Sequence, residues 1–440
     1  MVKILFVWHR VPRPDFGDST RCFHFMRELA ANHGYEVALI AATFRNGDET
    51  WLAEIRKFAK VLLVGVNPAK NESTRSPIQI LVESLRSLTW AWPIGLTSFY
   101  HVSGLSGAVA RLAEENHSDV VYLNGAMAYL MAGLRAPCIC DPHDALSYAL
   151  LRELGSASLS PRKLLLIAQF VKTALTERIA MPRARLLLVV SEAERVRLGR
   201  ASSVWTEVLP NGVDAAFFDP TRFPEPREPR LVFFGDLAAS PSADGISHFV
   251  QQVLPVIRER VGRIHMGIVG RDPPKELYTI AEENGAIVYP NVADVRPLIA
   301  QSTCCVVPLY RGTGIKNKVL EAMAMAKPVV TTSTGAEGIS TDSDSGLLLA
   351  GDDNEFARMV EQTVLRPDWA RRLGQANRET VVRHHSWTVL TGNLDRLIDQ
   401  VIQGPSSQPI SGDPKPPELR SGLFRQEHAL RLPGEPGTTR

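Results

Sequence analysis

The chain has 440 residues, 45% apolar and 22% charged, with 49 Lys and Arg against 47 Asp and Glu. That is ordinary globular composition, enough for two or three domains, and it excludes collagen-like, coiled-coil and wholly disordered classes. The net charge of +2 leaves no electrostatic footprint for bulk nucleic-acid binding. No apolar run reaches the ~20 residues a membrane helix needs. Residues 1–10 lack the pattern of a signal peptide, so the cytoplasm is the expected compartment. The five cysteines are odd in number and two are adjacent, Cys304 and Cys305. This argues against a disulfide framework, and no Cys/His spacing suits zinc. Cys138 and Cys140 sit in an apolar run and read as buried thiols.

Short apolar runs recur in chain order at 3–9, 36–42, 60–66, 119–125, 137–141 and 186–192. A second series follows at 230–236, 264–270, 286–292, 304–310, 328–333 and 346–350. Runs this short, with little alternation, suit parallel strands buried on both faces. Helical patterns lie between them, so the fold class is α/β, with two doubly wound parallel-sheet domains facing a cleft. The boundary lies at 208–230, where Pro210, Asn211 and Gly212 are followed by four more prolines. The expected domains are 1–207 and 208–385, then a helix at 386–403 packing back toward the first domain. The segment 404–440 holds 7 Pro and 5 Gly in 37 residues and reads as a disordered tail. Residues 160–200 carry nine Lys or Arg and three Glu among apolar runs. They read as ordinary packed helices or as a surface for an anionic membrane.

In open α/β sheets, ligands bind beyond the carboxyl ends of strands. Gly17 follows the first strand and opens a helix capped near Asp18 or Ser19. The loop at 9–18 lacks a dinucleotide fingerprint. Tyr122 and Asn124 end the fourth run and could line an acceptor side. His143 and Asp144, in D-P-H-D, end the fifth; Asp144 could orient the ring or cap the next helix. The D-x-D within 341–346 reads as an exposed turn, and His384 with His385 as a helix end.

The most informative segment is YRGTGIKNKVLEAMAMAKP, residues 310–328. A strand ends, a loop bracketed by Gly312 and Gly314 follows, and a helix is expected to begin near Ile315. The first turn of a helix offers free N–H groups and partial positive charge to phosphate oxygens. Arg311, Lys316 and Lys318 add full charges. Lys318 and Glu321 share a helix face, and a carboxylate one turn deeper can accept hydrogen bonds from ribose hydroxyls. Together these features describe a nucleotide-diphosphate pocket.

The same segment resembles the donor-binding segment of glycosyltransferase family 4, retaining enzymes of the GT-B fold. P-N-G-V-D at 210–214 and V-S-E-A-E at 190–194 resemble that family's signatures before and at the domain boundary. Residues 9–21 are similar to a subgroup associated with exopolysaccharide gene clusters. The resemblance implies a nucleoside-diphosphate sugar donor held by the C-terminal domain. Glu321 would hold the ribose, and Arg311, Lys316, Thr313 and Gly314 the diphosphate. Gly17, Gly235 and Lys318 complete the donor set. His143 would contact the sugar, with Asn124 and Asp144 on the acceptor side. The catalytic group is then His143, Arg311 and Lys316, with no metal and no cofactor. The family's first glutamate would fall at Thr313, and its cations after the first strand of the second domain are absent from 235–245; Arg311 and Lys316 are expected to supply that charge.

The expected function is transfer of a sugar from a nucleoside-diphosphate sugar to a glycan or lipid-linked glycan, in exopolysaccharide synthesis. The alternatives are a non-catalytic nucleotide-sugar-binding protein on the same fold and a sugar-nucleotide epimerase. An epimerase would need acid and base carboxylates in the cleft, and Asp144 is the candidate.

Overall fold

Thirteen strands form two wholly parallel sheets in the computed structural model, which describes residues 1–15, 17–44, 47–64, 105–156, 161–198, 204–226, 228–238, 240–339 and 346–404. The first sheet holds β1 (Lys3–Trp8), β2 (Glu36–Ala41), β3 (Lys60–Val64), β4 (Val120–Asn124), β5 (Cys138–His143), β6 (Leu186–Val189) and β7 (Thr206–Val208). Its order is β3-β2-β1-β4-β5-β6-β7. The second holds β8 (Arg230–Asp236), β9 (His265–Arg271), β10 (Ile287–Pro290), β11 (Cys304–Val307), β12 (Val329–Thr332) and β13 (Leu347–Ala350), ordered β10-β9-β8-β11-β12-β13. Each sheet reverses its winding between two central strands, β1 beside β4 and β8 beside β11. Those switch points open crevices at the carboxyl ends of the strands.

The apolar runs become strands because both faces are covered. Ile4, Phe6 and Trp8 pack into one core with Phe25, Tyr122 and Leu390. Leu5 and Val7 point the other way, toward Met127, Leu187 and Val189. All five cysteines are free and buried. Burial pushes the Cys138 thiol up to about 12. Three details differ from the sequence reading. β7 is an additional strand of three residues at the sheet edge, too short and polar to register as an apolar run. β5 runs on through Pro142 to His143, with a register irregularity after Cys140. β11 stops at Val307, three residues before the apolar run does. The tail from 405 and the D-x-D turn lie outside the described residues.

The chain passes between the domains twice at one place. A Cβ at Gly212 would lie 2.7 Å from the indole of Trp387. Val213 N–H donates to the His385 carbonyl, and Val213 bridges to Ser386. Burial lowers the His385 pKa, so its ring is neutral and hydrogen-bonds the Asn211 carbonyl through Nδ1 at 2.9 Å. Trp387 stacks flat on His24, ring centroids 4.9 Å apart. The helix Trp387–Gln403 then lays Leu390, Leu394, Ile398 and Val401 into the core of the first sheet.

Beneath this crossing lies a buried ion pair. Arg21 is 1% exposed and Asp141 is 0% exposed, and Arg21 Nε donates to Asp141 Oδ2 at 2.6 Å. The Tyr122 hydroxyl donates to the same carboxylate oxygen. Arg21 also donates to the Pro210 carbonyl at 2.7 Å and lies over the Phe25 ring. Removing one partner of a buried pair leaves an uncompensated charge, at a cost of about 3–5 kcal/mol. Arg21→Met should therefore lower the stability of the chain by about that amount in urea titration. A loss below ~1 kcal/mol, the scale of an exposed pair, would show the pair to be dispensable.

Candidate functional site

The loop after β11 is fixed from below before it reaches the crevice. Thr331 Oγ1 donates to the Val307 carbonyl at 2.7 Å, and Thr332 Oγ1 to that of Leu309. Gly312 and Gly314 take φ of 129° and 70°, left-handed values that only glycine adopts readily. Helical hydrogen bonding begins at Asn317, and Lys316 is its extended cap residue at φ −91° and ψ 99°. The expected start near Ile315 is thus corrected to Asn317. The left-handed Gly314 and the extended Lys316 cannot continue a helical turn. Ile315 instead turns inward beneath Gly338.

The three cations of this segment occupy three different environments. Arg311 is exposed and pairs with Asp244 at 2.6 Å. Lys316 Nζ donates to the Thr313 carbonyl at 2.8 Å and to that of Gly314. Burial lowers its pKa, opposed by Glu337, Asp144 and Glu194. Lys318 is the most enclosed of the three. Its Nζ donates to Ser242 Oγ at 2.9 Å and lies 4.7 Å above the Phe233 ring. A Cβ at Gly235, where φ is 151°, would come within 2.6 Å of that Nζ. Lys318 therefore places an ammonium beside the segment 235–245, the end of β8 and the start of the helix Ser240–His248, which has no cation of its own. Burial brings Lys318 down to about 8. On the same helix face, burial pushes Glu321 up to about 7, with Lys318 opposing the rise. The Glu321 carboxylate accepts no hydrogen bond among the described residues.

The first domain supplies the opposite wall. His143 has φ +64°, a left-handed conformation worth about 1–2 kcal/mol of strain in a non-glycine residue. Its Nε2 is buried without a partner, and its ring meets Trp8 edge-on at 5.5 Å. The surrounding chain holds the strain in place. Asp144 N–H donates to the Pro142 carbonyl at 2.8 Å. Ala145 N–H donates to Glu194 at 2.6 Å, and Ser147 N–H to Glu177 at 3.0 Å. Pro142 packs on Gly125, where a Cβ would fall 2.3 Å from the proline Cα. Asn124 is buried at the end of β4, paired in register with Asp141. Tyr122 lies wholly in the core with its hydroxyl on Asp141. Gly17 is exposed, at φ +41°, and a Cβ there would meet nothing within 4 Å.

Two contacts join the walls. Asp144 reaches the loop of the second domain, so that a Cβ at Gly314 would lie 2.2 Å from its Oδ1. Arg197 pairs with both Glu194 and Glu337, the latter on the loop after β12. His143, Asp144, Gly314 and Lys316 are thus gathered on one side of the crevice. Lys318, Gly235 and Glu321 lie deeper, and Arg311 is at the rim. Sequence reading missed Arg21, Asp141, Glu177, Glu194, Arg197, Ser242 and Glu337. Asp141 and Glu194 stood inside quoted motifs and could have been taken from them. Ser242 and Glu337 carry no local signal.

Residues 228–365 match the family model described as glycosyl transferases group 1. EpsD of Bacillus subtilis (strain 168), named as a candidate glycosyltransferase, is 31% identical over 135 residues, 29% of this chain and 35% of EpsD. The match therefore spans about a third of that relative's length. Sucrose-phosphate synthase from Thermosynechococcus elongatus superposes with a TM-score of 0.66 at 17% identity, covering 92% of this chain and 100% of that one. Anabaena HepE in complex with UDP-glucose gives 0.60 at 15%, covering 91% and 100%. The fold is GT-B. In this GT-B chain the matched region contains β8 to β13 and hence every residue of the cationic wall.

The strain at His143 is separable from its chemistry. Glycine tolerates φ +64° and alanine does not, so His143→Gly should be about 1 kcal/mol more stable than His143→Ala. Thermal melts of the two variants decide it; equal melting points would mean the backbone there is unstrained.

Proposed function

We propose that this chain is a retaining glycosyltransferase that takes its sugar from a nucleoside-diphosphate sugar. The single observation that carries the reading is Lys318 with Glu321 beneath the Gly312–Gly314 loop. A buried ammonium and a carboxylate without a protein donor lie one helical turn apart. The match of 228–365 to a glycosyltransferase family supports it, as does the likeness of the fold to HepE, whose structure holds UDP-glucose. In this reading Glu321 accepts from the ribose hydroxyls. Lys318, Lys316 and Arg311 surround the diphosphate, with the amides of Thr313 and Gly314. Gly235 lets the phosphates approach the backbone, and Gly17 leaves room from the other side.

The reaction breaks the bond between the anomeric carbon and the diphosphate oxygen and forms one to an acceptor hydroxyl on the same face. The departing phosphate oxygen takes the acceptor proton. The protein's work is then positioning and charge stabilisation on the leaving group. His143 presents its unpartnered Nε2 to the sugar, and Asn124 and Asp144 stand toward the acceptor. Three cations around the leaving group support a reaction without a divalent ion. The acceptor is a glycan or lipid-linked glycan. Exposed Ile167 and Val171, one helical turn apart on the basic segment 160–200, support contact with an anionic lipid surface. No described helix is long and apolar enough to cross a membrane.

Incubation with radiolabelled UDP-glucose and membrane lipid extract tests the reading, preceded by a melting screen across nucleoside diphosphates and their sugars to choose the donor. Transfer is expected, with Lys316→Ala lowering turnover more than tenfold, or about 1.4 kcal/mol. Donor binding without transfer or donor hydrolysis would instead identify a non-catalytic binding protein, the reading that Thr313 favours.

Glu321 must be ionised to accept from ribose, and Lys318 must be protonated to meet phosphate. The diphosphate of UDP-glucose itself does not titrate near neutrality. Affinity should therefore rise with pH toward about 7, where Glu321 ionises, and fall above about 8, where Lys318 loses its proton. Calorimetry from acid to alkaline pH reads this, and Glu321→Ala should weaken binding and remove the acid limb. A flat profile in the parent protein would separate these two groups from the nucleotide.

A further inference from the structure

The loop between Gly312 and Lys316 is met from the opposite domain by a carboxylate. Asp144 Oδ1 and Oδ2 would lie 2.2 and 3.3 Å from a Cβ at Gly314, so Asp144 fills the space that glycine leaves. The groups facing it are Glu194 from the helix Glu192–Leu198, Lys316 and Glu337 from the second domain, and the neighbouring His143. Glu194 is committed to Ala145 N–H and Arg197, and Glu337 is paired with Arg197. The Asp144 carboxylate accepts no hydrogen bond among the described residues. Lys316 turns its ammonium onto the carbonyls of its own loop. Beside His143, three carboxylates, Asp144, Glu194 and Glu337, stand against two cations, Lys316 and Arg197.

A carboxylate and a phosphate oxygen are both anionic and repel each other at close range, so the two cannot share one place on the loop. We propose that Asp144 is a resident anion on the diphosphate loop, which the donor must displace. The inference rests on the donor reading above. It makes Asp144 a specificity-determining residue. A small free anion has only the loop to gain and is turned away. A nucleoside diphosphate also gains the contacts at Glu321 and can open the cap. Burial and the neighbouring Glu194 already raise the pKa of Asp144, so its negative charge is held at a disadvantage.

Calorimetry on the full chain with inorganic pyrophosphate, and separately with UDP, tests this in the parent protein and in Asp144→Asn, Asp144→Ser and Lys318→Ala. Both Asp144 variants should bind pyrophosphate at least tenfold more tightly than the parent. That ratio should shrink as the pH is lowered, because protonation neutralises the parent's Asp144. Equal or weaker binding by either correctly melting Asp144 variant overturns the proposal. Loss of UDP binding in Lys318→Ala in the same series would leave the donor reading standing. Failure of every protein to bind either ligand removes the donor reading and this inference with it.

Discussion

The position of the first-domain wall depends on one buried ion pair, Arg21 with Asp141. Two charges without solvent are tolerated only where each finds enough donors or acceptors. Asp141 receives Arg21 and the Tyr122 hydroxyl, and Arg21 also reaches the Pro210 carbonyl. Three parts of the chain are therefore tied at one point: the helix Gly17–Asn32, the end of β5 and the connector to the second domain. Asp141 is two residues before His143, so the same carboxylate that satisfies the arginine sets where β5 leaves the sheet. The crossing of the chain at Gly212 and Trp387 lies over this pair, and a movement of the connector would be felt at β5 through Pro210.

The cations of the second domain share a sequence neighbourhood but not a physical state. Arg311 at the rim is screened by water and already paired, which suits early attraction of an anion more than its tight holding. Lys318 is nearly desolvated, with a serine hydroxyl, an aromatic face and a carboxylate as its surroundings. Interactions there are strong because little water competes. Lys316 stands between these extremes and satisfies itself on its own loop. The ordering along the crevice, from rim to depth, is thus one of increasing desolvation.

The doubly wound domains were legible because buried parallel strands leave unmistakable apolar runs, and the cationic wall because it is contiguous, from Arg311 to Glu321. What was not legible depends on long-range contact. β7 has only three residues, two half-buried and Val208 exposed. The helix start at Asn317 follows from the backbone of Gly314 and Lys316, which composition does not specify. Ser242 gives no sign that an ammonium from 76 residues away will donate to it. Arg21 looks like a surface residue of an amphipathic helix until Asp141 and Pro210 are brought beside it. Glu337 reads as a loop residue until Arg197 crosses the cleft.

The two walls differ in sign, and this fixes how a ligand can lie. Past His143 the chain enters the helix Leu146–Ser156, whose start would ordinarily offer free amides to an anion. Here Glu194 takes the Ala145 amide and Glu177 the Ser147 amide. These carboxylates fix the chain just after His143, and they leave the first domain acidic along this edge. A phosphate has no place there. Its charge can be met only on the loop at 312–316 and on Lys318 beyond it. The anchoring of the chain after His143 and the acidic edge follow from the same two carboxylates.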